Sequence, residues 1–385
     1  MSVQFIDEQK TLNTVLPELN NAGQIAIDLE FDKNYYRYGF NLCLMQLSDG
    51  DNIYLIDPLS SSLQINTIFP VLENPEIEKV AFAFGEDLRL LHSIGCFPKN
   101  IYDLDNAISL LNYSPASLTN HLQNILEIDT GKSSQMSNWY HRPLSDDQLH
   151  YAAEDVRHLL ILKDHLQTEA KEKELSGWIE EENRVMDLAD HSNIDNNDVI
   201  KEKDKNDFTE TEWHIYVRLM ETREEIAEKL NKPSFQVIQK EIIQKAAKDP
   251  GRLEKWKNTR GIFKRIKTDR MKKKLLTVVR DAREEAAEKG LSDTDPANKP
   301  PSADQKKYYR EQREKVNRAK REFFTPIKEQ IEDDYGKEVS TFLFSNRIIS
   351  ETISEDQQLL HYKMELLRHY ADKLNLDINE YLKNR

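Results

Sequence analysis

The sequence predicts an α/β domain followed by all-α helical domains. Three observations lead to that reading. Between residues 25 and 83, short runs rich in Ile, Leu, Tyr and Phe are broken by turn residues, which is a strand pattern. From Thr209 onward apolar residues recur at intervals of three and four, which is a helical pattern. A stretch rich in Asn, Asp and Lys separates the two, and 385 residues are enough for two or three domains.

Residues 25–31, 40–48 and 52–56 read as consecutive strands. Ser48, Asp49, Gly50 and Asp51 turn the chain between the last two, which predicts an antiparallel pair. Residues 79–83 form a further strand leading into a helix over 85–93, where Leu88, Leu91 and Ile94 recur at helical spacing. Ser145 followed by Gln148 is a capping box, and Leu149, Ala152, Val156, Leu159 and Leu160 give the apolar face of one long helix reaching about Lys171. These elements make a first domain over 1–190. Residues 191–208 nearly lack large apolar side chains and cannot offset the entropy of ordering, so they predict a flexible linker. Thr209 and Glu212 form a second capping box, opening a helical domain over 209–290 that carries Ile215, Leu219, Ile226, Leu230, Leu275, Leu276 and Val279. Pro296, Pro300 and Pro301 mark a second linker over 291–302. Residues 303–385 are helical again, with Thr325 and Pro326 fitting the N-cap and first position of a new helix.

Composition narrows the setting. No apolar run approaches the roughly 20 residues that span a bilayer, and the N-terminus has no charged-then-apolar signal pattern. Cys43 and Cys96 are too few for a disulfide framework or a cysteine-bound zinc site. The expectation is a cytoplasmic protein with no membrane partner. The net charge of -14 divides unevenly: residues 1–190 carry 13 Lys and Arg against 31 Asp and Glu, whereas 212–290 carry 21 against 13. A basic module behind an acidic domain points to a polyanion, although a solvated lysine-rich surface would carry the same charge. Eleven Lys and Arg between Arg252 and Lys274 face only Glu254 and Asp269 in that stretch, which fits binding to a nucleic-acid backbone.

Asp28 and Glu30 lie two apart in an apolar strand, so both carboxylates fall on one face. Two neighbouring anions favour a cation, and hard divalent ions such as Mg²⁺ or Mn²⁺ prefer carboxylate oxygens. An isolated Asp-x-Glu is more often an acidic strand end facing water. Two further sites change its weight. Asp87 opens the helix after the fourth predicted strand, and Asp155 follows Tyr151 by four residues, so phenol and carboxylate share a helical face. His150 precedes Asp155 by five residues and points more than a quarter turn from Tyr151, which leaves Tyr151 favoured as the partner of Asp155.

This set of residues, Asp-x-Glu, then Asp, then Tyr-x-x-x-Asp, resembles the DEDD exonuclease superfamily in its tyrosine variant. The likeness extends through Ile27-Asp28-Leu29-Glu30-Phe31, Leu44-Met45-Gln46-Leu47, Leu55-Ile56-Asp57-Pro58-Leu59, Glu86-Asp87-Leu88, the run from Trp139 to Leu144 and Tyr151-Ala152-Ala153-Glu154-Asp155-Val156, which together resemble the ribonuclease D family over residues 1–190. Trp213, Leu219, Arg223, Ile226, Ala227, Pro233, Phe235, Val237, Pro250, Gly261, Leu275 and Leu276 are similar to the pattern of an HRDC domain, and 303–385 is read as a second, divergent HRDC-like domain from its length, position and periodicity. Two departures stand out. Phe82 or Ala83 occupies the place where family members commonly carry His, and Leu29 replaces the more usual Thr between the paired acids.

The resemblance implies an RNase H-like fold and a 3′-5′ exonuclease that uses two ions, Mg²⁺ or Mn²⁺, per active site. Asp28, Glu30, Asp87 and Asp155 would hold metal, Asp87 mainly through water, and Tyr151 would orient the attacking water. The expected substrate is RNA with a free 3′ end, tRNA precursors foremost, with nucleoside 5′-monophosphates as products. A Werner-type exonuclease acting on DNA and an inactive, RNA-binding relative are the competing readings; the intact acids weigh against the second. Asp103 matches a family acid or is a helix N-cap. Trp139 and Arg142 would meet base and phosphate, or else serve as a core aromatic and an ion-pair partner. Residues 208–385 are expected to be separable from hydrolysis of short oligonucleotides.

Overall fold

The computed structural model describes residues 1–130, 137–192, 200–354 and 358–382. They divide into two compact units: residues 1–30, 42–192 and 302–385 form the first, and residues 31–41 and 193–301 the second. Part of the linker expected over 191–208, residues 193–199, lies outside the described residues.

The first unit is built on a six-stranded sheet: β1 (Ser2–Ile6), β2 (Gln24–Lys33), β3 (Phe40–Ser48), β4 (Asn52–Ile56), β5 (Glu78–Ala81) and β6 (Ile101–Asp103), in the spatial order β1-β4-β3-β2-β5-β6. β3 and β4 pair antiparallel around the Ser48–Asn52 turn, while β1 runs parallel to β4, and β5 runs parallel to both β2 and β6. A mixed sheet with helices on it is the α/β layer expected. Sequence patterning misses β1 and β6, because an edge strand of five residues with exposed Val3 and Phe5 and a strand of three have too little periodicity to register. The helices around the sheet are α1 (Gln9–Asn21), α2 (Phe69–Glu73), α3 (Gly85–Ser93), α4 (Leu104–Leu110), α5 (Leu118–Leu126), α6 (Asp146–Arg157), α7 (Leu159–Glu172) and α8 (Ser176–Leu188).

One long helix was expected after Ser145, and there are two. The capping box forms, Ser145 and Gln148 each satisfying the other's backbone N–H, but the chain leaves helical geometry at His158 (φ -112°, ψ -1°). Glu154 gathers Arg157 at 2.5 Å and His158 at 3.3 Å around that break. The second departure lies further on. Thr325 is no N-cap: beyond α9 (Glu210–Leu230), α10 (Ser234–Val237), α11 (Lys240–Lys248) and α12 (Asp269–Glu288) of the second unit, α13 (Ala303–Ala319) continues through one π turn, Lys320–Phe324, into α14 (Thr325–Tyr335). Pro326 lacks an N–H and would crowd the carbonyl four residues earlier, so a widened turn lets the helix pass where a tight one would stop it. The Thr325 hydroxyl donates to the Lys320 carbonyl at 2.8 Å across that turn.

Residues 303–385, read from sequence as a domain of their own, share a core with the sheet domain. Phe323, Phe324, Ile327, Ile331 and Leu343 are buried in one cluster with Leu104, Ala107 and Leu111 of α4 and its end. α15 (Lys337–Leu343), α16 (Asn346–Ile353), α17 (His361–Lys373) and α18 (Ile378–Tyr381) complete this region. Trp178 of α8 packs against Tyr335 and Tyr362, each 5.1 Å between ring centroids, and Lys363 pairs with Glu182 at 2.7 Å. Gly336 has φ +98°, and a Cβ there would run into the Asn112 side chain, whose Oδ1 accepts from the Glu338 N–H at 3.0 Å. Only glycine lets the two segments approach so closely.

The second unit centres on α9 (Glu210–Leu230), α10 (Ser234–Val237), α11 (Lys240–Lys248) and α12 (Asp269–Glu288). Thr209 and Glu212 form the capping box that opens α9, and Ile215, Leu219, Leu275 and Val279 lie in its core. Residues 200–208 are ordered where a flexible linker was expected: Glu202–Asp207 is a 3-10 helix, Phe208 is buried, and Asp204 pairs with Lys240 at 2.6 Å. The proline-bearing segment is likewise tied down, with the Asp295 and Ser292 carbonyls accepting from the Glu210 and Thr211 N–H groups. No helix among the described residues is long and apolar enough to cross a membrane.

Candidate active site

β2 presents Asp28 and Glu30 on the same side of the sheet, and α6 carries Tyr151 and Asp155 on one face. Ligand oxygens of Asp28, Glu30 and Asp155 all lie within 4.8 Å of one another, with Glu30 buried and the other two half-buried. The Tyr151 hydroxyl donates to the Asp155 carboxylate. His150 instead stands 69% exposed, its Nδ1 4.0 Å from Glu154. The fourth acid, Asp87, is buried in the first turn of α3, and its Oδ1 finds no hydrogen-bond partner. It sits outside the group of three yet close enough for the charges of Asp28 and Asp87 to act on each other.

Crowding these acids raises their proton affinity. Burial pushes the Asp28 carboxyl up to about 7, opposed by a hydrogen bond from the Leu29 N–H. Burial and then the charge of Asp28 push Asp155 up to about 8, with the Tyr151 hydroxyl pulling it back. Glu30 is held well above the usual carboxylate range by burial and by Asp28, Asp155 and Asp87 in that order, and Asp87 by burial and then Asp28. Near neutral pH these carboxyls must hold protons or share a cation. The donor set is all carboxylate oxygen, and Asp87 adds an orphaned buried oxygen, so the residues fit a hard divalent metal ion.

Two structural knots hold the parts in place. Asp103 caps α4, accepting from the Asp105 N–H at 3.0 Å, and also accepts from the N–H groups of Ala83 (2.7 Å) and Phe84 (2.9 Å). Ala83 is left-handed (φ +52°), so this carboxylate pins an unusual turn immediately before the helix that carries Asp87. Asp103 is thus an N-cap with a second duty. Its own N–H donates to Asn183 of α8 at 3.2 Å, a partner eighty residues away that no local pattern reveals.

The second knot removes an expected substrate contact. Arg142 donates Nε and Nη2 to Asp57 at 2.6 and 2.7 Å, and its remaining N–H groups reach the carbonyls of Cys43, Trp139 and His141. Trp139 is buried, 6.1 Å from the Tyr151 ring. Both residues therefore shape the segment entering α6, and a phosphate or base role for them is not what the geometry serves. Asp32, next in the period-two series after Glu30, is turned aside too: its carboxylate accepts from the N–H groups of Tyr35, Tyr36 and Arg37.

Residues 3–171 match the family model of 3′-5′ exonucleases. This part of the chain is a 3′-5′ exonuclease domain. The chain is similar to ribonuclease D of Zymomonas mobilis, 34% identical over 193 residues that cover 49% of each protein. It also resembles the exosome complex exonuclease RRP6 of Saccharomyces cerevisiae, 31% identical over 183 residues that cover 47% of this chain and 25% of that one. The matched part is thus about half, or less, of these curated relatives. In fold the likeness runs the full length: the crystal structure of Escherichia coli RNase D aligns over 100% of both chains with TM-score 0.68 at 21% identity. The exonuclease domain and the helical region behind it therefore recur together in one fold.

Proposed function

We propose that the protein is a divalent-metal-dependent 3′-5′ exoribonuclease that releases nucleoside 5′-monophosphates from RNA 3′ ends. The observation carrying this reading is the convergence of Asp28, Glu30 and Asp155, with Tyr151 bonded to Asp155, inside a 3′-5′ exonuclease domain. Asp28, Glu30 and Asp155 would hold Mg²⁺ or Mn²⁺, with Asp87 steadying a second ion through water. Metal bound there supplies an acidified water and offsets charge on the phosphate. Tyr151 restrains Asp155 and presents its hydroxyl where an attacking water can be oriented, while the buried Glu30 supplies the third carboxylate of the group. Similarity to ribonuclease D supports RNA as the substrate, tRNA precursors included, and 209–290 is read as an HRDC-like domain that adds affinity for it.

The test is a product assay on matched 5′-labelled RNA and DNA oligonucleotides with Mg²⁺ or Mn²⁺. A ladder shortening from the 3′ end of RNA, with mononucleotide products and no activity in Asp28→Asn, is expected. Preferential digestion of the DNA would replace the substrate class, and full activity in Asp28→Asn would remove the active site from this cluster.

A further inference from the structure

α13 differs from every other long helix of the first unit in what it leaves uncovered. From Ala303 to Glu311 every residue is exposed, and burial begins only near its C-terminal end, where Ala319 enters the core. The helix is stabilised locally: Ser302 and Gln305 form a capping box, and Lys307–Glu311 and Arg310–Glu314 are ion pairs one turn apart, each 3.9 Å. Within this overhang Tyr308 and Tyr309 are 57% and 58% exposed, their rings edge to face with centroids 5.8 Å apart. A spacer that merely joins two parts of a chain has no use for two adjacent exposed aromatics.

Charge gives the occupant. Residues 303–319 hold six Lys and Arg against three Asp and Glu, although residues 1–30 and 42–190 of the same unit carry 11 against 30. Lys306, Tyr309, Arg310 and Arg313 stand three and four apart and so share one face of the helix, which contains no acid between them. Lys306 and Arg313 have no carboxylate partner among the described residues. Cations for phosphates beside aromatic rings for bases are the two components of single-strand recognition.

We infer that the exposed overhang of α13 is a stacking platform for single-stranded RNA upstream of the 3′ end being digested, with Tyr309 against a base on the face whose Lys306, Arg310 and Arg313 meet the backbone, and Tyr308, edge to face with Tyr309, extending the aromatic surface around the helix. This rests on the exoribonuclease reading for the identity of the strand, but not on the chemistry of the carboxylate site.

The full-length protein is titrated, in chelator, with a fluorescent oligouridylate of roughly 30 nucleotides, long enough for a stacking site beyond the 3′ end. Three variants are compared with wild type: Tyr308→Ala with Tyr309→Ala, the corresponding double Phe change, and Lys306→Gln with Arg310→Gln and Arg313→Gln. The alanine pair should weaken binding by about tenfold or more with an unchanged salt slope, since stacking is worth roughly 1–3 kcal/mol per base. The phenylalanine pair should bind like wild type. The glutamine triple should lower the slope of log affinity against log salt by about 2, at roughly 0.7 per phosphate contact. With metal restored, cleavage of a trinucleotide should be the same in all four proteins. Wild-type affinity and slope in the alanine and glutamine variants would overturn the inference, whether or not RNA is cleaved. Loss of self-association in the alanine pair, measured by sedimentation with RNA affinity unchanged, would overturn it in favour of a contact between copies. If no RNA is digested but the platform variants still lose oligouridylate, the platform stands and the exonuclease reading falls.

Discussion

Tyr151 and His150 are neighbours in sequence with opposite surroundings, one bonded to Asp155 and one 69% exposed. Tyr151→Phe should slow single-turnover hydrolysis by roughly 10² at neutral pH, in the range of lost orienting or acid-base groups, whereas His150→Ala should leave the rate within about twofold. The reverse ranking would move the chemistry to the histidine. The raised carboxyls make a second prediction at this scale. In the folded, metal-free protein Asp28 and Asp155 keep their protons up to about 7 and about 8, whereas unfolded they release them at about 3.9. The folded state then binds more protons than the unfolded one from about pH 4 to about pH 8, so stability falls as pH rises through that window, by about 1.4 kcal/mol for each tenfold difference in proton affinity between the two states. Calorimetry in chelator should show Asp28→Asn melting above wild type at pH 8 and converging with it near pH 4. Added Mg²⁺ or Mn²⁺ should raise the wild-type Tm more at pH 8 than at pH 6, because binding competes with protons. An Asn variant that melts with wild type at both pH values would mean the carboxyl is not confined as described.

At the scale of elements, the site depends on how helices are entered. α6 is aimed by the capping box at Ser145 and, before it, by Arg142 fastened to Asp57; α3 is aimed by Asp103 holding the Ala83–Phe84 turn. Removing the Asp103 side chain leaves two N–H groups at a buried turn without their acceptor, one of them on a residue with φ +52°. Asp103→Ala should therefore cost on the order of 1–3 kcal/mol in urea unfolding. It should also lower kcat while metal still binds to the group of Asp28, Glu30 and Asp155, since the displaced residue is Asp87. Unchanged kcat with lowered stability would reduce Asp103 to its capping role.

At the scale of the whole molecule, residues 302–385 are not an appendage. Their buried aromatics sit in the same cluster as α4, so a protein ending at residue 301 should expose apolar surface, melt early and lose activity even on short oligonucleotides, contrary to what separable modules would predict. Circular dichroism and activity of that truncation check the point. The basic stretch of the second unit is tested better by charge reversal. Lys257, Lys272 and Lys274 are paired to Asp269, Glu254 and Glu225, whereas Lys264, Arg265, Arg270 and Lys273 have no carboxylate partner among the described residues. Changing those four to Glu should flatten the salt dependence of RNA binding and leave unfolding nearly unchanged, because all four side chains are exposed. An unaltered slope would make this stretch a solvated surface.

Local patterns carry local information, and that limit separates what was legible in the sequence from what was not. Asp28 with Glu30 by strand period, Tyr151 with Asp155 by helix period, and the capping boxes at Ser145 and Thr209 all depend on residues within five positions of each other, where backbone geometry dictates who shares a face. The α/β class and the helical second half follow from the same periodicities. Long-range partners were chosen by the fold: Asp87 beside Asp28, Asp103 on the Ala83 turn, Arg142 on Asp57, and Gly336 against Asn112. The fold also made 303–385 complete the first core, since an amphipathic helix states that it must be covered but not by what. Packing chose the cover.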